Sequence, residues 1–230
     1  EMSRGELSEI EIAAFLGALH ARGEQPSEIA GAAEAFRSAA QHFTTTAPDV
    51  IDVVGTGGDG VGTINISTAS AFVAASMGLK VAKHGNRAVS SKAGAADLVE
   101  AAGIPLDLSP ASSATLLERT GFCFLFAQKY HPAMRYVAPV RGALKNPTIF
   151  NLIGPLVNPA PLSYQVLGVG KPELLDVVAK ALASLGLKHA LVVHGSGTDE
   201  FAVHGPTEIR EITPEGIASF TLTPEELGIT

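Results

Sequence analysis

The most constraining stretch of this chain is residues 50–68, VIDVVGTGGDGVGTINIST. An apolar run from Val50 to Val54, interrupted by Asp52, leads into five glycines at positions 55, 57, 58, 60 and 62. Thr63, Asn65, Ser67 and Thr68 follow, ahead of the small-residue segment 69–77. The order predicts a strand, a glycine loop and a helix N-terminus. Glycines let backbone N–H groups approach a ligand with no Cβ in the way. A helix N-terminus adds free donors and partial positive charge. Such a loop suits phosphate or pyrophosphate.

Two named loops compete. Gly55, Gly57 and Gly60 satisfy G-x-G-x-x-G, but residues 62–65 intervene before a helix can begin. About 20 residues on, where a dinucleotide fold uses an acid for the ribose, stand Lys83 and His84. A Walker loop fails because Gly62 precedes Thr63 rather than a lysine. Asp59 would repel a bare phosphate; a ribose hydroxyl or a metal-bound shell suits it better.

Composition narrows the classes. Hydrophobic residues make up 46% and charged ones 17%, enough for a real core. A net charge of −7 without basic runs disfavours a nucleic-acid partner. No apolar window predicts a membrane span, and the first residues read as no signal peptide. Cys123, the sole cysteine, lies in the apolar run 122–126 and reads as a structural thiol; its solitude fits a reducing cytoplasm.

Residues 1–43 read as helical, with Ser8 and Glu11 at capping-box spacing, a stop at Gly23 and Pro26 opening a second helix through Phe36. Residues 44–48 read as a hinge-like linker. Thereafter strands at 50–54, 80–83, 122–127, 165–169 and 190–194 alternate with helices at 94–102, 110–119, 131–144 and 172–185. Residues 208–222 suggest a hairpin or edge strands. The expected fold class is α/β: a small N-terminal helical domain (1–46, completed by part of 128–146) beside an α/β domain (47–230) with a mostly parallel sheet flanked by helices.

Three further constellations stand out. Residues 83–91, KHGNRAVSS, form a polar turn after a strand and should face the glycine loop. Lys83 and Arg87 can balance phosphate charge there, and Ser90 and Ser91 can donate. Residues 151–159 read as a rigid turn, with Arg141 shortly before it. Asp199 and Glu200, after a predicted strand, form an oxygen pair suited to Mg²⁺ shared with substrate phosphates.

The segments GTGGDGVGTINIST, KHGNRAVSSKAGAADLVEAAG, HPAMRYVAPVR, TIFNLIGPLVNPA and HGSGTDE together make the chain resemble the anthranilate phosphoribosyltransferase family from about Leu7 onward. The resemblance implies transfer of phosphoribose from phosphoribosyl pyrophosphate to the amine of anthranilate, with two Mg²⁺ per active site. It implies phosphoribosyl pyrophosphate contacts at Gly55, Gly58, Asp59, Thr63, Asn65, Ile66, Ser67, Thr68, Lys83, His84, Gly85, Asn86, Arg87, Ala88, Val89, Ser90, Ser91 and Ala95. Lys83 would stabilise the leaving group electrostatically. Gly55, Asn86 and Arg141 would meet anthranilate, with His84, His131 and Pro155 nearby; Ser67, Asp199 and Glu200 would hold metal.

The family further implies a cytoplasmic homodimer joined through the N-terminal helices, and more helices beyond Thr230, so that the chain reads as C-terminally truncated. Ala95 stands where many members carry serine, so a contact there is through the backbone, and Thr198 replaces a usual leucine. A pyrimidine nucleoside phosphorylase-like enzyme is the alternative within this architecture, and would need no paired Mg²⁺ ligands. A non-catalytic nucleic-acid-binding relative would need a basic groove.

Overall fold

Apolar runs too short for helices pair into one sheet. A computed structural model of the chain describes residues 1–88 and 93–229. Among them, a seven-stranded sheet takes the order β3-β2-β1-β4-β5-β6-β7. The strands are β1 (Val50–Gly55), β2 (Lys80–Gly85), β3 (Phe122–Phe126), β4 (Leu162–Gly168), β5 (His189–Gly195), β6 (Thr207–Thr213) and β7 (Gly216–Leu222). β3, β2, β1, β4 and β5 are parallel; β6 and β7 add an antiparallel hairpin.

Each parallel connection needs a crossover, and helices supply it. α3 (Ile66–Ser76) links β1 to β2, and α4 (Ala95–Ala101) with α5 (Pro110–Thr120) links β2 to β3. α6 (Ala127–Tyr130), α7 (Ala138–Leu144) and α8 (Ile149–Ile153) carry the chain back across β1 to β4, and α9 (Leu175–Ala183) leads on to β5. Strand order therefore reverses between β1 and β4, which creates the crevice where doubly wound sheets bind ligands.

At the N-terminus, α1 (Glu9–Arg22) starts as its sequence predicts. Ser8 Oγ accepts from Glu11 N at 3.3 Å, and Glu11 Oε2 accepts from Ser8 N at 2.8 Å. α2 (Pro26–Ser38) carries its proline in the first turn. Ile12, Leu16, Leu19, Ile29 and Phe36 of these helices share one buried cluster with Val137, Val140, Leu175, Val178 and Leu182. Two short helices cannot bury an apolar stripe alone, and here α9 and α7 cover it.

Three segments differ from their sequence reading. Residues 131–144 are not one helix: a 3₁₀ turn, Pro132–Tyr136, precedes α7, whose first turn accommodates Pro139, a position where proline forfeits no hydrogen bond. Residues 151–159 are partly helical, as α8 and a 3₁₀ turn, because Ile149, Phe150, Leu152 and Ile153 are all buried. Residues 44–48 are pinned: Glu118 Oε1 accepts from Thr45 Oγ1 at 2.9 Å and from Thr46 N at 2.8 Å.

Phe36 stands edge-on to Phe150, ring centroids 5.1 Å apart, and joins the N-terminal helices to α8. Phe36→Ala should cost about 3–5 kcal/mol through lost burial and a residual cavity. A denaturation midpoint unchanged by the substitution would contradict this packing.

Candidate active site

The carboxyl ends of β1, β4 and β5 all finish in glycine, and the reason is steric. A Cβ on Gly55 would lie 2.1 Å from Asp199 Oδ2, one on Gly168 1.6 Å from the Asp199 carbonyl oxygen, and one on Gly195 2.2 Å from the Glu200 carbonyl oxygen. The loop after β5 thus presses its backbone onto the ends of β4 and β5 and the Asp199 carboxylate onto the end of β1. Gly55 pairs with Gly168 in the sheet, so the acidic pair sits at the β1/β4 switch point.

The glycine loop arches over this point. Gly57, Gly58, Gly60 and Gly62 have φ of 69°, 80°, 74° and 72°, a left-handed region that residues with Cβ rarely enter. Asp199 Oδ2 accepts from Gly57 N at 2.7 Å. Glu200 Oε1 accepts from Ser67 Oγ at 2.6 Å and from Ser67 N at 3.2 Å, at the first turn of α3. Asn65 Nδ2 donates to Ala93 O at 3.0 Å, so the loops after β1 and β2 do face each other.

Ser67 and Glu200 therefore meet directly, with Asp199 beside them. Burial raises both carboxyls above their ordinary range; Asp59 adds to the shift at Asp199, and Asp199 to that at Glu200. Hydrogen bonds from Gly57 and Ser67 oppose it. Asp59 Oδ1 accepts from Val61 N at 3.2 Å, whereas its buried Oδ2 has no partner among the described residues. Among those residues, too, no three His, Cys, Asp or Glu side chains close into a complete metal set. An oxygen-only pair with a hydroxyl and an orphaned carboxylate oxygen fits Mg²⁺, which keeps waters and takes substrate phosphate oxygens as further ligands.

The remaining predicted residues fall in several places. Thr63 and Gly58 are exposed on the loop, Ile66 opens α3, and Thr68 is buried behind it. His84 is buried against His131, with ring centroids 5.0 Å apart. Gly85 abuts Ala95 Cβ and the Phe124 ring. Asn86 Oδ1 accepts from Arg87 N at 2.9 Å and Gln128 Nε2 at 3.3 Å. Arg87 does not reach across to the glycine loop; its guanidinium pairs with Asp97 at 3.0 Å and Glu100 at 2.8 Å. Ala88 N donates to Asp97 Oδ2 at 3.1 Å. Val89, Ser90 and Ser91 lie outside the described residues.

Arg141, on α7, holds its guanidinium 5.3 Å from the Phe150 ring centre. It is half-buried, which lowers its pKa, and has no side-chain ion pair or hydrogen bond among the described residues. Pro155 is buried nearby in sequence, its carbonyl accepting from Gln165 Nε2 at 2.7 Å.

Lys83 is the largest departure. Instead of standing in the crevice it is buried, its ammonium donating to Val53 O at 2.6 Å. Asp52 and Glu200 are the acids whose fields reach it. Asp52 is fully buried on β1 and accepts from Asn158 Nδ2 at 2.8 Å; Asn158 Nδ2 also donates to Ala82 O at 2.8 Å. A reading of the sequence alone assigns neither Asp52 nor Asn158 a part in the site. The available signal is one charge in an otherwise apolar strand, which a buried lysine on the next strand explains.

The fold and site define a class before any particular chemistry: an α/β protein with a glycine loop and an acidic pair meeting at its switch point. Residues 47–230 match the glycosyl transferase family a/b domain, and residues 1–40 match the helical bundle domain of that family. The anthranilate phosphoribosyltransferase of Aeromonas hydrophila is 52% identical over 229 residues, covering 100% of this chain and 67% of that protein. The crystal structure of the Thermus thermophilus enzyme of that name superposes with a TM-score of 0.94 at 49% identity, covering 100% of this chain and 68% of that one. The Saccharomyces cerevisiae enzyme, solved in complex with PRPP and Mg, gives 0.86 at 34% identity, over 94% and 61%. The chain belongs to the anthranilate phosphoribosyltransferase family. It spans about two thirds of the length of the bacterial relatives it matches.

The seating of Asp199 on the strand ends has a direct test. Gly168→Ala should push the Asp199 main chain off β4 and lower both the melting temperature and any stabilisation by Mg²⁺; an unchanged response to Mg²⁺ would contradict the packing. The buried histidines give a pH dependence. Burial lowers His84 to about 3 and His131 to about 4, below the unfolded value of 6.5, so both contribute stability that is present above 6.5 and lost as pH falls toward 4. Burial raises Asp52 to about 6 from 3.8, an opposite contribution lost as pH rises through 6. Two histidines outweigh one aspartate here. Removing one as His84→Asn should flatten the stability slope between about pH 4 and 6.5, by up to about 1.4 kcal/mol per pH unit. An identical slope would contradict the buried, neutral assignment.

Proposed function

We propose that this chain transfers the 5-phosphoribosyl group of phosphoribosyl pyrophosphate to the amine of anthranilate, releasing pyrophosphate, a step of tryptophan biosynthesis. The observation that carries the reading is the meeting of Ser67, Glu200, Asp199 and Gly57 at the β1/β4 switch point, beside the glycine loop.

In this reading the loop amides from Gly57 to Asn65 and the first turn of α3 receive the diphosphate, where partial positive charge is fixed in advance. Asp59, with an oxygen unpartnered among the described residues, faces the ribose hydroxyls or a metal-bound water. Asn86 and the backbone from Gly85 to Ala88 close the opposite side, with Ala95 contributing only main chain. Arg87, committed to Asp97 and Glu100, braces that turn rather than gripping phosphate. Arg141, whose guanidinium lies on an aromatic ring without an ion pair among the described residues, takes the anthranilate carboxylate, with Gly55 and Asn86 bordering the acceptor pocket.

Ser67, Asp199 and Glu200 would hold Mg²⁺, two ions per site, which supplies charge stabilisation to the departing diphosphate. An aromatic amine is uncharged at neutral pH, so no strong base is required. Holding amine and ribose C1 together contributes much of the remaining acceleration. The buried histidines, kept neutral, leave the acceptor wall without added charge.

We further propose the division into a helical domain (1–46, with part of 128–146) and an α/β domain (47–230). Homodimerisation through the N-terminal helices is supported by Ile10 and Phe15, which are exposed on α1. A cytoplasmic setting agrees with the buried Cys123, whose thiol burial keeps protonated.

Loss of anthranilate fluorescence on mixing with phosphoribosyl pyrophosphate tests the reading, and it should stop in excess chelator. Turnover unaffected by chelator would remove the metal role. Arg141→Ala should weaken anthranilate by roughly 30- to 150-fold, from a charge-assisted bond of about 2–3 kcal/mol, while sparing the sugar substrate. Equal losses for both substrates would remove Arg141 from the acceptor pocket.

A further inference from the structure

Where β4 and β5 end, a side chain takes over a place in the sheet ladder. Parallel strands exchange evenly spaced main-chain bonds, so a residue whose N–H donates to the neighbouring strand normally accepts from the residue two further along it. Val169 N donates to Val193 O at 2.9 Å, and its carbonyl would therefore accept from Gly195 N. Gly195 N is turned away from it. It donates to Thr198 O at 3.1 Å, and Thr198 N returns a bond to Gly195 O at 3.0 Å. The Val169 carbonyl meets His194 Nδ1 instead, at 2.8 Å. His194 is buried, 7% exposed, at the end of a strand whose other residues from 190 to 193 are apolar.

The other ring nitrogen is engaged as well: Gly197 N donates to His194 Nε2 at 3.2 Å. A carbonyl oxygen only accepts, so Nδ1 carries the proton, and Nε2 keeps the lone pair that Gly197 N requires. Both contacts are met by that one tautomer. Ser196 and Gly197, in the middle of the turn, have φ of 46° and 96°, and the first of these carries a Cβ in the left-handed region. The imidazole thus spans two main chains, the end of β4 and the turn that leads into Asp199 and Glu200. On either side of Val169 the same two loops touch the site: Asp199 packs on Gly168, and Gly170 N donates to Thr56 Oγ1 at 3.1 Å, at the start of the glycine loop.

We infer that His194 is a positioning residue for the acidic pair: its imidazole ties the turn at Gly197 to the end of β4 and so holds Asp199 and Glu200 where they meet Gly57 and Ser67. His194 touches neither cation nor diphosphate. It acts through the main chain, by fixing the distance between the two loops beside which the pair sits. The consequence for a divalent cation and its diphosphate rests on the site proposed above.

The test compares wild type with His194→Leu, which loses both bonds, and His194→Gln, whose longer amide can still accept from Gly197 N. Binding of Mg²⁺ with inorganic pyrophosphate is measured by calorimetry below each melting transition, and amide hydrogen exchange without ligand. His194→Leu should weaken Mg²⁺–pyrophosphate by about 10- to 100-fold and leave anthranilate affinity unchanged, and His194→Gln should recover most of the loss. Exchange should quicken at Gly57 and Ser67, whose amides donate to Asp199 and Glu200, and not at Val192 in the core of β5. A merely structural histidine would lower the melting temperature and leave both the affinity of the folded protein and exchange at Gly57 and Ser67 as in wild type, which would overturn the inference. Equal losses for Mg²⁺–pyrophosphate and anthranilate would overturn it too. If His194→Leu fails to fold, His194→Asn, which keeps a donor for the buried Val169 carbonyl and loses only the bond to Gly197, should show the same selective loss, and wild-type behaviour there would overturn the inference. Wild-type protein that binds no Mg²⁺–pyrophosphate would overturn the functional reading itself, and exchange at Gly57 and Ser67 would still decide the role of His194.

Discussion

The site depends on one steric constraint: the main chain at Asp199 and Glu200 lies where side chains on β4 and β5 would otherwise be, and the Asp199 carboxylate lies where one on β1 would. Gly55, Gly168 and Gly195 make that approach possible, and no other residue type could without moving the backbone. Once the loop is seated, the rest follows from reach. Asp199 finds Gly57 N and Glu200 finds Ser67, so the acidic pair, the glycine loop and the first turn of α3 become one unit. The parallel sheet contributes the order of strands that brings these loops to one edge.

Charge then selects what such a unit can accept. Three carboxylates, Asp59, Asp199 and Glu200, gather around loop amides, and burial keeps two of them reluctant to ionise. Lys83, whose charge is favoured by Asp52 and Glu200 against burial, is buried on β2 and donates to Val53 O. Arg87 is neutralised by α4. A bare polyanion would meet net repulsion here, whereas a divalent cation brought with its diphosphate would relieve it. Arg141 has no ion pair among the described residues and lies on a different element, α7, against the Phe150 ring.

Much of this is legible in the sequence because it rests on local chemistry. The glycine loop, the Ser8–Glu11 cap, the alternation of strands and helices and the edge hairpin at 208–222 follow from spacing and residue type. Residues 151–159 read as a turn because Pro and Asn signal one, while burial of Ile149, Phe150, Leu152 and Ile153 stabilises a short helix that propensity alone would not. Sequence alone puts Lys83 in the crevice, because a lysine ending an apolar strand ordinarily snorkels to solvent. Its real partner is Val53 O on the neighbouring strand, and such pairings emerge only when strands align. The engagement of Arg87 by Asp97 and Glu100 is hidden for the same reason.

The central claim is that Ser67, Asp199 and Glu200 bind a divalent cation together with the diphosphate held by the glycine loop. Its most direct test is a crystal of the protein grown with Mn²⁺ and phosphoribosyl pyrophosphate, read by anomalous scattering. The account predicts a manganese peak at bonding distance from Glu200 or Ser67 Oγ, with the diphosphate against the amides of residues 57–65. A diphosphate bound elsewhere, or bound in the loop with no manganese beside the acidic pair, would contradict it.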